Sequence, residues 1–341
     1  MKKQDTILDV KNLSTSFVSD GREVTIVKDV SLQLKRGSCL AVVGESGCGK
    51  SVTVHSIVKL LAKNARVSSD EVVYRSLHDG HTEEYRLDQL EPYGPVMRKL
   101  RGSEIGMVFQ DPMSSLNPVY RVGDQVAEGL IQHEKISKKE AMARVVELFG
   151  KLGIPDPERR VREYPHQFSG GMKQRVVIAI AMICNPDIII ADEPTTALDV
   201  TIQAQIMELM KNLQVHENKS IIMITHNMGL VAEMADDVAV MYMGRIVESG
   251  KAEDVFCEPS HPYTRALLRS VPVLGMEEGK ELDTIPGTTP NPADITEGCE
   301  FADRCSECMD CCKKGTVPVC EIAPDHFVRC MKFAKGGEGE G

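Results

Sequence analysis

A glycine-rich stretch of eight residues offers the clearest chemistry in the sequence. It fills every fixed position of the pattern G-x-x-x-x-G-K-[ST], and it runs Gly44, Glu45, Ser46, Gly47, Cys48, Gly49, Lys50, Ser51. Backbone N–H groups in such a loop point inward, and a helix that begins there adds partial positive charge, so the stretch predicts a site for a triphosphate. We expect Lys50 to reach the β- and γ-phosphates and the Ser51 hydroxyl to ligate Mg²⁺.

The flanks of this phosphate loop predict the elements that must position it. Residues 39–43 are a short apolar run, which is typical of a buried parallel strand, and residues 51–61 carry apolar side chains at helical spacing. Strand, glycine loop and helix in that order are the context that favours phosphate binding over a chance glycine-rich turn.

Two later buried strands end in polar side chains. Gln110 follows the apolar run 105–109, and Asp192 and Glu193 follow the run 186–191. Ligands of an open α/β sheet bind at the carboxyl ends of its strands, so the Gln110 amide could contact Mg²⁺ or an attacking water, although a surface turn residue is the alternative. We expect Asp192 to hold the Mg²⁺ shell and Glu193 to polarise a water toward the γ-phosphate.

Two further positions fit a nucleotide site less specifically. His226 directly follows the strand predicted at 221–225. A lone histidine is more often structural than catalytic. Here, however, it ends a third buried strand at the same sheet edge as Gln110 and Asp192, which favours a role in the nucleotide site. Phe17 could stack on an adenine ring, or it could be a core residue at the end of a strand.

A second helix start also suits an anion. Ser169 can cap the apolar helix predicted over 176–184, and Gly170 and Gly171 would let a phosphate approach the backbone before Met172. An ordinary capped helix is the alternative.

Length and composition place these motifs in a large globular chain. The 341 residues predict one large domain plus a smaller one. Fifty acidic and 40 basic residues give a formal charge of −10, which argues weakly against nucleic acid as the main partner. No apolar run has the length of a membrane span, and no apolar signal region follows the first six residues, so we expect a cytoplasmic protein. Alternating apolar residues over 7–34 predict antiparallel strands, and apolar stripes over 121–163 predict helices.

With these residues in view, the segment from residue 5 to about 255 resembles the ATP-binding subunit of an ABC transporter. The resemblance rests on motifs that match in order and spacing: A-loop Phe17, Walker A Gly44 to Ser51, Q-loop Gln110, signature Ser169 to Gly171, Walker B Asp192 with Glu193, D-loop Ala197 to Asp199, and H-loop His226. It implies an α/β fold with a P-loop NTPase (RecA-like) core, an antiparallel β subdomain, a helical subdomain at about 111–175, and a loop-rich, cysteine-containing C-terminal extension. The boundary that we predict lies between a nucleotide-binding domain at 1–255 and an extension at 256–341.

The resemblance also implies a mechanism for an ATP hydrolase of the translocase class. Two such domains face head to tail, and each ATP lies between one phosphate loop and the other subunit's signature, here Ser169, Gly170, Gly171 and Met172. In this reading Glu193 is the general base, His226 contacts the γ-phosphate, and Gln110 joins Ser51 and Asp192 around Mg²⁺. Asp199 belongs to the D-loop.

Three segments look like the dipeptide/oligopeptide (and nickel) importer branch of that family. They are the signature form Phe168 to Met172, which departs from Leu-Ser-Gly-Gly-Gln, and the segments 110–118 and 261–268. The branch implies an ATPase subunit for di- and oligopeptide import, peripheral to the cytoplasmic face of the cell membrane. Its implied partners are a paralogous ATPase subunit in a heterodimer, two membrane-spanning permease subunits and an extracytoplasmic solute-binding protein. Nickel or another solute is the alternative cargo, and a soluble ABC-type ATPase of iron–sulfur assembly or of nucleic-acid or translation work is the alternative class.

Seven of the 11 cysteines lie between Cys299 and Cys330. In a reducing compartment such a cluster suggests a metal more than disulfides, although reduced cysteines without metal are also possible. Cys299, Cys305, Cys312 and Cys330 match the cysteine frame of the importer family's extension, which implies a [4Fe–4S] cluster; zinc with four thiolates is the alternative. Three extra cysteines leave the ligand set open, and Cys311 could replace Cys312; the extra ones are Cys308, Cys311 and Cys320.

Overall fold

The computed structural model describes residues 6–19, 21–78, 81–196, 198–270, 285–290 and 297–334. The chain divides into two compact units. The first unit comprises Met1–Leu8, Leu34–Cys39 and Val73–Ile224, and the second comprises Asp9–Gln33, Leu40–Val72 and Thr225–Gly341.

The described residues form thirteen strands and eleven α-helices. The strands are β1 Thr6–Ser19, β2 Arg22–Lys35, β3 Cys39–Val43, β4 Ala65–Ser68, β5 Glu71–His78, β6 His81–Arg86, β7 Ile105–Val108, β8 Ile188–Asp192, β9 Ser220–Thr225, β10 Asp237–Tyr242, β11 Arg245–Lys251, β12 Val319–Ala323 and β13 His326–Arg329. The helices are α1 Lys50–Ile57, α2 Pro95–Ser103, α3 Pro112–Ser115, α4 Val122–His133, α5 Lys138–Lys151, α6 Pro157–Arg160, α7 Gly170–Met182, α8 Val200–Glu217, α9 Met228–Met234, α10 Ala252–Cys257 and α11 Pro262–Arg269. Among the described residues, no helix is both long and apolar enough to cross a membrane.

Three buried parallel strands form the sheet of the first unit. β8 pairs in parallel with β7 on one side and with β9 on the other. Every residue of β8 and β9 is buried, as expected for strands that are covered on both faces and therefore carry continuous apolar runs. The parallel strands predicted from the sequence are confirmed at these positions.

The first unit carries a helical segment between β7 and β8. Residues 112–182 contain α3 to α7 and no strand, and α4 packs against both α5 and α7. The contact buries Val126, Leu130 and Val145, which belong to the apolar stripes read from the sequence. Phe149 of α5 is also fully buried.

The second unit is built on a mixed sheet in the order β12-β13-β11-β10-β3. β10 runs parallel to β3, whereas β11, β13 and β12 follow in antiparallel pairs. In the same unit β1 pairs antiparallel with β4, which confirms an antiparallel element in the N-terminal segment.

The C-terminal tail is loop-rich, as the sequence predicted, but it also carries two short strands. Its strands β12 and β13 extend the sheet beyond β11, and Phe301, Val317 and Val328 are buried. Phe301 joins Tyr242 and Tyr263 in an aromatic cluster whose ring centroids lie 4.6 to 5.3 Å apart. The tail therefore shares the apolar core of its unit.

Candidate functional site

The phosphate loop lies in the second unit, between the end of β3 and the start of α1. Gly49 is the N-cap of α1 with a φ of 106°, a left-handed conformation that glycine adopts without strain. Gly44 has a φ of 150°, and a Cβ built on it would lie 2.1 Å from the Met241 carbonyl oxygen. Glycine is therefore required at Gly44 by both backbone angle and space.

Lys50 is buried within this loop. Its Nζ donates hydrogen bonds of 2.9 Å to the carbonyl oxygens of Gly44 and Glu45. The ammonium group thus lies inside the loop, where a phosphate oxygen could replace those carbonyl oxygens as its hydrogen-bond acceptor. Burial raises the pKa of the neighbouring Cys48 thiol, so this cysteine is a neutral packing residue rather than a nucleophile.

Two side chains and the backbone constrain the carboxylate of Glu193. It directly follows β8, and its Oε2 accepts hydrogen bonds of 2.9 Å from Gln110 Nε2 and from Thr196 Oγ1. Its backbone has a φ of 46°, and its N–H donates to the Ile224 carbonyl at 2.9 Å. A left-handed conformation is uncommon for a residue with a side chain, and it recurs at functional sites. The carboxylate is therefore held in one orientation at the carboxyl end of the sheet.

The structure places the other predicted magnesium ligands at strand and helix ends. Asp192 is the last residue of β8, is 3% exposed and pairs in register with Ile224 of β9. Ser51 lies in the first turn of α1, in the second unit. Gln110 follows β7, and its amide nitrogen is directed to Glu193.

Two predicted nucleotide contacts lie in the second unit. His226 is exposed directly after β9, ahead of α9, whose N-cap Asn227 accepts hydrogen bonds from Gly229 and Leu230. Phe17 is half-buried near the end of β1, where it pairs in register with Ala65 of β4. Neither position contradicts its predicted role.

The predicted signature forms the N-terminus of the 13-residue helix α7. Ser169 is its N-cap and accepts a hydrogen bond from the Met172 N–H at 3.3 Å, as the sequence predicted. Ser169 and Gly170 are exposed, whereas Gly171 is buried, and a Cβ there would lie 2.8 Å from Ile202 of α8. The first glycine is thus open to a ligand, and the second allows two helices to approach closely.

The D-loop segment precedes α8 in the first unit. Asp199 is the N-cap of α8, and its side chain accepts from the Ile202 N–H at 3.0 Å. Ala197 lies outside the described residues.

The tail cysteines do not form the predicted metal site in the part of the chain that the structure describes. No group of three or more His, Cys, Asp or Glu side chains there is arranged to hold a metal ion, and the cysteines are free thiols. Burial raises the pKa of Cys299 to about 12 and raises the pKa values of Cys305 and Cys330. The geometry of the described residues, including Cys299, Cys305, Cys312 and Cys330, therefore does not support the [4Fe–4S] or zinc site.

Comparison with known families adds an independent observation. The ABC transporter family profile matches residues 27–196, and the profile of the oligopeptide/dipeptide transporter C-terminal region matches residues 247–312. The chain is 49% identical to the dipeptide transport ATP-binding protein DppD of Bacillus subtilis, over 96% of this chain and 94% of that protein. The chain belongs to the ABC transporter family of ATP-binding subunits.

Two further comparisons bear on this ABC subunit. It is 48% identical to the oligopeptide transport ATP-binding protein OppD of Bacillus subtilis, over 95% of this chain and 88% of that protein. It also matches a solved ATP-binding cassette, described as a dimer in a post-hydrolysis state with ADP and phosphate, at a TM-score of 0.60 and 28% identity. That match covers 72% of this chain and 98% of the cassette, and it confirms the predicted α/β cassette fold.

Two groups of contacts at the site could not be predicted from the sequence. Thr196 donates to Glu193 from three residues away, but nothing in its immediate sequence distinguishes it from Thr195. Tyr263 and Arg304 contact Glu45 of the phosphate loop across 218 and 259 residues, a separation at which sequence offers no signal.

Proposed function

We propose that this chain is the ATP-hydrolysing subunit of an importer for di- and oligopeptides. The observation that carries the proposal is the Glu193 carboxylate, fixed by Gln110 and Thr196 directly after Asp192. A general base must be held in a productive orientation before it can activate a water. The hydrogen bonds from Gln110 and Thr196 hold this carboxylate in one orientation. The names of the relatives DppD and OppD support peptides as the cargo.

In the proposed reaction each side chain has one task. The phosphate-loop N–H groups and Lys50 bind the triphosphate, and Glu193 accepts a proton from the attacking water. His226 contacts the γ-phosphate, and Phe17 stacks on the adenine. Ser51, Asp192 and Gln110 would hold Mg²⁺, which neutralises charge on the phosphate oxygens when it is bound.

We also propose that a second ATPase subunit completes the site, as a head-to-tail heterodimer with a paralogue. Support comes from the exposed Ser169 and Gly170 at the start of α7, which could donate to a phosphate on a partner, and from the dimeric state of the solved relative. Asp199 would lie at the same dimer contact.

The membrane-spanning partners would dock beside the Q-loop. The segment after Gln110 exposes three large apolar side chains, with exposed fractions of 63% for Met113, 72% for Val119 and 59% for Tyr120. Large contiguous patches of exposed apolar surface mark sites of protein contact. We therefore propose that the chain is peripheral to the cytoplasmic face of the membrane, with residues 1–255 as the nucleotide-binding domain and 256–341 as the extension.

Glu193→Gln tests the catalytic proposal. We expect ATP turnover of the assembled transporter to fall by roughly 10²- to 10⁴-fold while ATP stays bound, because the amide cannot accept the proton. Glu208→Gln, an exposed acid on α8, is the matched control and should turn over normally. Turnover of Glu193→Gln at the control rate would remove Glu193 as the base.

Co-purification and uptake test the transport proposal. The tagged chain, extracted with its complex from solubilised membranes, should retain spanning subunits, and vesicles containing the complex should accumulate a labelled dipeptide in an ATP-dependent manner. Accumulation of nickel instead would make the metal the cargo. Purification without any spanning subunit would favour the soluble class of ABC ATPase.

The tail cysteines resemble the cysteine frame of the family, and on that ground a [4Fe–4S] cluster stays a hypothesis, with zinc as the alternative. The geometry of the described residues does not support either metal. Iron and zinc analysis of anaerobically purified protein, compared with a Cys299→Ser variant, decides between them. Less than a tenth of an equivalent of either metal would exclude both.

A further inference from the structure

Glu45, the second residue of the phosphate loop, is held by three side chains from the C-terminal part of the chain. Arg304 donates from Nη1 and Nη2 to the two carboxylate oxygens at 2.8 and 3.0 Å. The Tyr263 hydroxyl accepts the Glu45 N–H at 2.9 Å, and the Thr289 hydroxyl donates to the carboxylate at 3.2 Å. We call Tyr263, Thr289 and Arg304 the Glu45 clamp. All four residues belong to the second unit.

The clamp is itself fixed by packing. The Arg304 side chain is 7% exposed, and it also donates to the Tyr242 hydroxyl at 3.2 Å and to the Pro286 carbonyl at 2.9 Å. Its guanidinium lies 5.8 Å from the Tyr242 ring centre and 6.0 Å from that of Phe301. Because these contacts hold the arginine in one conformation, the two-pronged bond to Glu45 loses little side-chain entropy.

Tyr263 is equally constrained. Its ring packs at an angle against Tyr242 and Phe301, and burial raises the pKa of its hydroxyl well above the usual range. The hydroxyl therefore stays neutral and accepts the Glu45 N–H without adding charge beside the loop.

The charge of Glu45 poses a problem for an anion-binding loop. A carboxylate in that loop repels a bound triphosphate, because both groups are negatively charged. Arg304 neutralises this charge and holds the carboxylate on the side of the tail. The pKa of Arg304 is raised by its hydrogen bond to Glu45, so the guanidinium stays charged throughout the physiological range.

We infer that Arg304 and Tyr263 are positioning residues for nucleotide binding, which act through Glu45 to give the phosphate loop its conformation and its affinity for ATP. The inference rests on the proposed binding of ATP by the loop. It gives the C-terminal region a role in nucleotide affinity within its own subunit. If the contacts served only to anchor the tail, their loss would leave ATP affinity unchanged.

A double-mutant cycle on the full chain separates these readings. Arg304→Met should raise the Kd for ATP–Mg, and the KM of the assembled transporter, about tenfold, with kcat changed less than about twofold, because a free carboxylate repels the ligand. In the Glu45→Gln background the same substitution should change Kd less than about twofold, since no charge is left to neutralise. Arg304→Lys should restore part of the affinity, as it keeps the charge but loses the two-pronged geometry.

A matched control and a salt series complete the test. Arg265→Met removes a different arginine of the same region, one paired with Glu307 rather than with the loop, and should leave Kd unchanged. The tenfold defect of Arg304→Met should shrink as ionic strength rises to about 1 M, because salt screens the repulsion. Circular dichroism and urea unfolding identify any variant that fails to fold. If Arg304→Met does not fold, the ATP affinity of Arg304→Lys decides whether the clamp affects nucleotide binding.

The outcomes distinguish the inference from the proposed function. Lys50→Ala should weaken ATP binding by roughly ten- to a hundredfold, since it removes a charge-assisted contact. If Lys50→Ala binds ATP normally, the proposed nucleotide site is wrong. If Lys50→Ala loses affinity but Arg304→Met does not, or if the effect of Arg304→Met is the same in the Glu45→Gln background, only the Glu45 clamp is overturned.

Discussion

Glu193 illustrates how a single residue departs from its surroundings to serve a reaction. Its neighbours in β8 are buried and extended, yet its own φ is 46°. The turn directs the carboxylate toward Gln110 and Thr196, and strain of order 1 to 3 kcal/mol is tolerated because the flanking strands fix the backbone. The sequence predicted the carboxylate and the amide, and the structure adds the threonine.

Thr196→Val should lower kcat by roughly three- to tenfold, the effect of losing one hydrogen bond that orients the base. KM for ATP should stay within about twofold, since the hydroxyl does not belong to the phosphate loop. Steady-state ATP hydrolysis by the assembled transporter measures both constants. Thr201→Val, at an exposed position in the first turn of α8, is the control, and equal kcat values for the two variants would contradict an orienting role for Thr196.

Among the elements, the conformation of the phosphate loop depends on how closely the backbone of a neighbouring strand approaches it. β10 runs beside β3, and its Met241 carbonyl lies against Gly44 at the start of the loop. Any side chain at residue 44 would meet this carbonyl, which cannot move without breaking the pairing of β10 with its neighbours. The loop conformation is thus set by the strand next to it as well as by its own glycines.

Gly44→Ala should reduce the free energy of unfolding by about 3 kcal/mol or more, as the sum of a strained backbone and steric overlap. Gly47→Ala is the matched control, because Gly47 also has a positive φ but has no atom within 4 Å of a built Cβ, and its cost should be roughly 1 kcal/mol. Urea unfolding of nucleotide-free protein measures the difference. Equal losses would show that Met241 yields and that only the backbone angle matters.

At the scale of the whole molecule, the C-terminal tail is a structural part of the second unit. β13 pairs with β11, and Glu248 of β11 accepts hydrogen bonds from His326 and from the backbone N–H groups of Ser260 and His261. These contacts join the strand, the start of α11 and the tail around one buried carboxylate. Stability and nucleotide affinity should therefore both depend on residues beyond 255.

Phe301→Ala should lower the free energy of unfolding by about 3 to 5 kcal/mol, because the ring is 1% exposed and lies at the centre of the aromatic cluster. Phe327→Ala, in the same tail, removes a ring that is 38% exposed, and it should lose roughly 1 kcal/mol or less. Urea unfolding curves of the two variants provide the comparison. Similar urea midpoints for the two variants would indicate that packing of Phe301 in the core contributes little to the stability of the protein.

The sequence by itself determined the parts of the site that depend on short stretches of chain. A phosphate loop between strand and helix, a capped helix at Ser169 and carboxylates at the end of β8 each follow from fewer than about fifteen consecutive residues, where periodicity and capping preferences act directly. The family resemblance then indicated how such parts function together.

Only the tertiary structure decided which distant residues meet. Arg304 and Tyr263 reach Glu45 because β11, α11 and the tail pack on the strand beside the loop, and no local pattern encodes that packing. The same holds for the tail's strands and for its cysteines, whose burial and separation differ from the site that their spacing suggested. Contacts between residues far apart in the chain are set by the shape of a common core, which sequence spacing does not record.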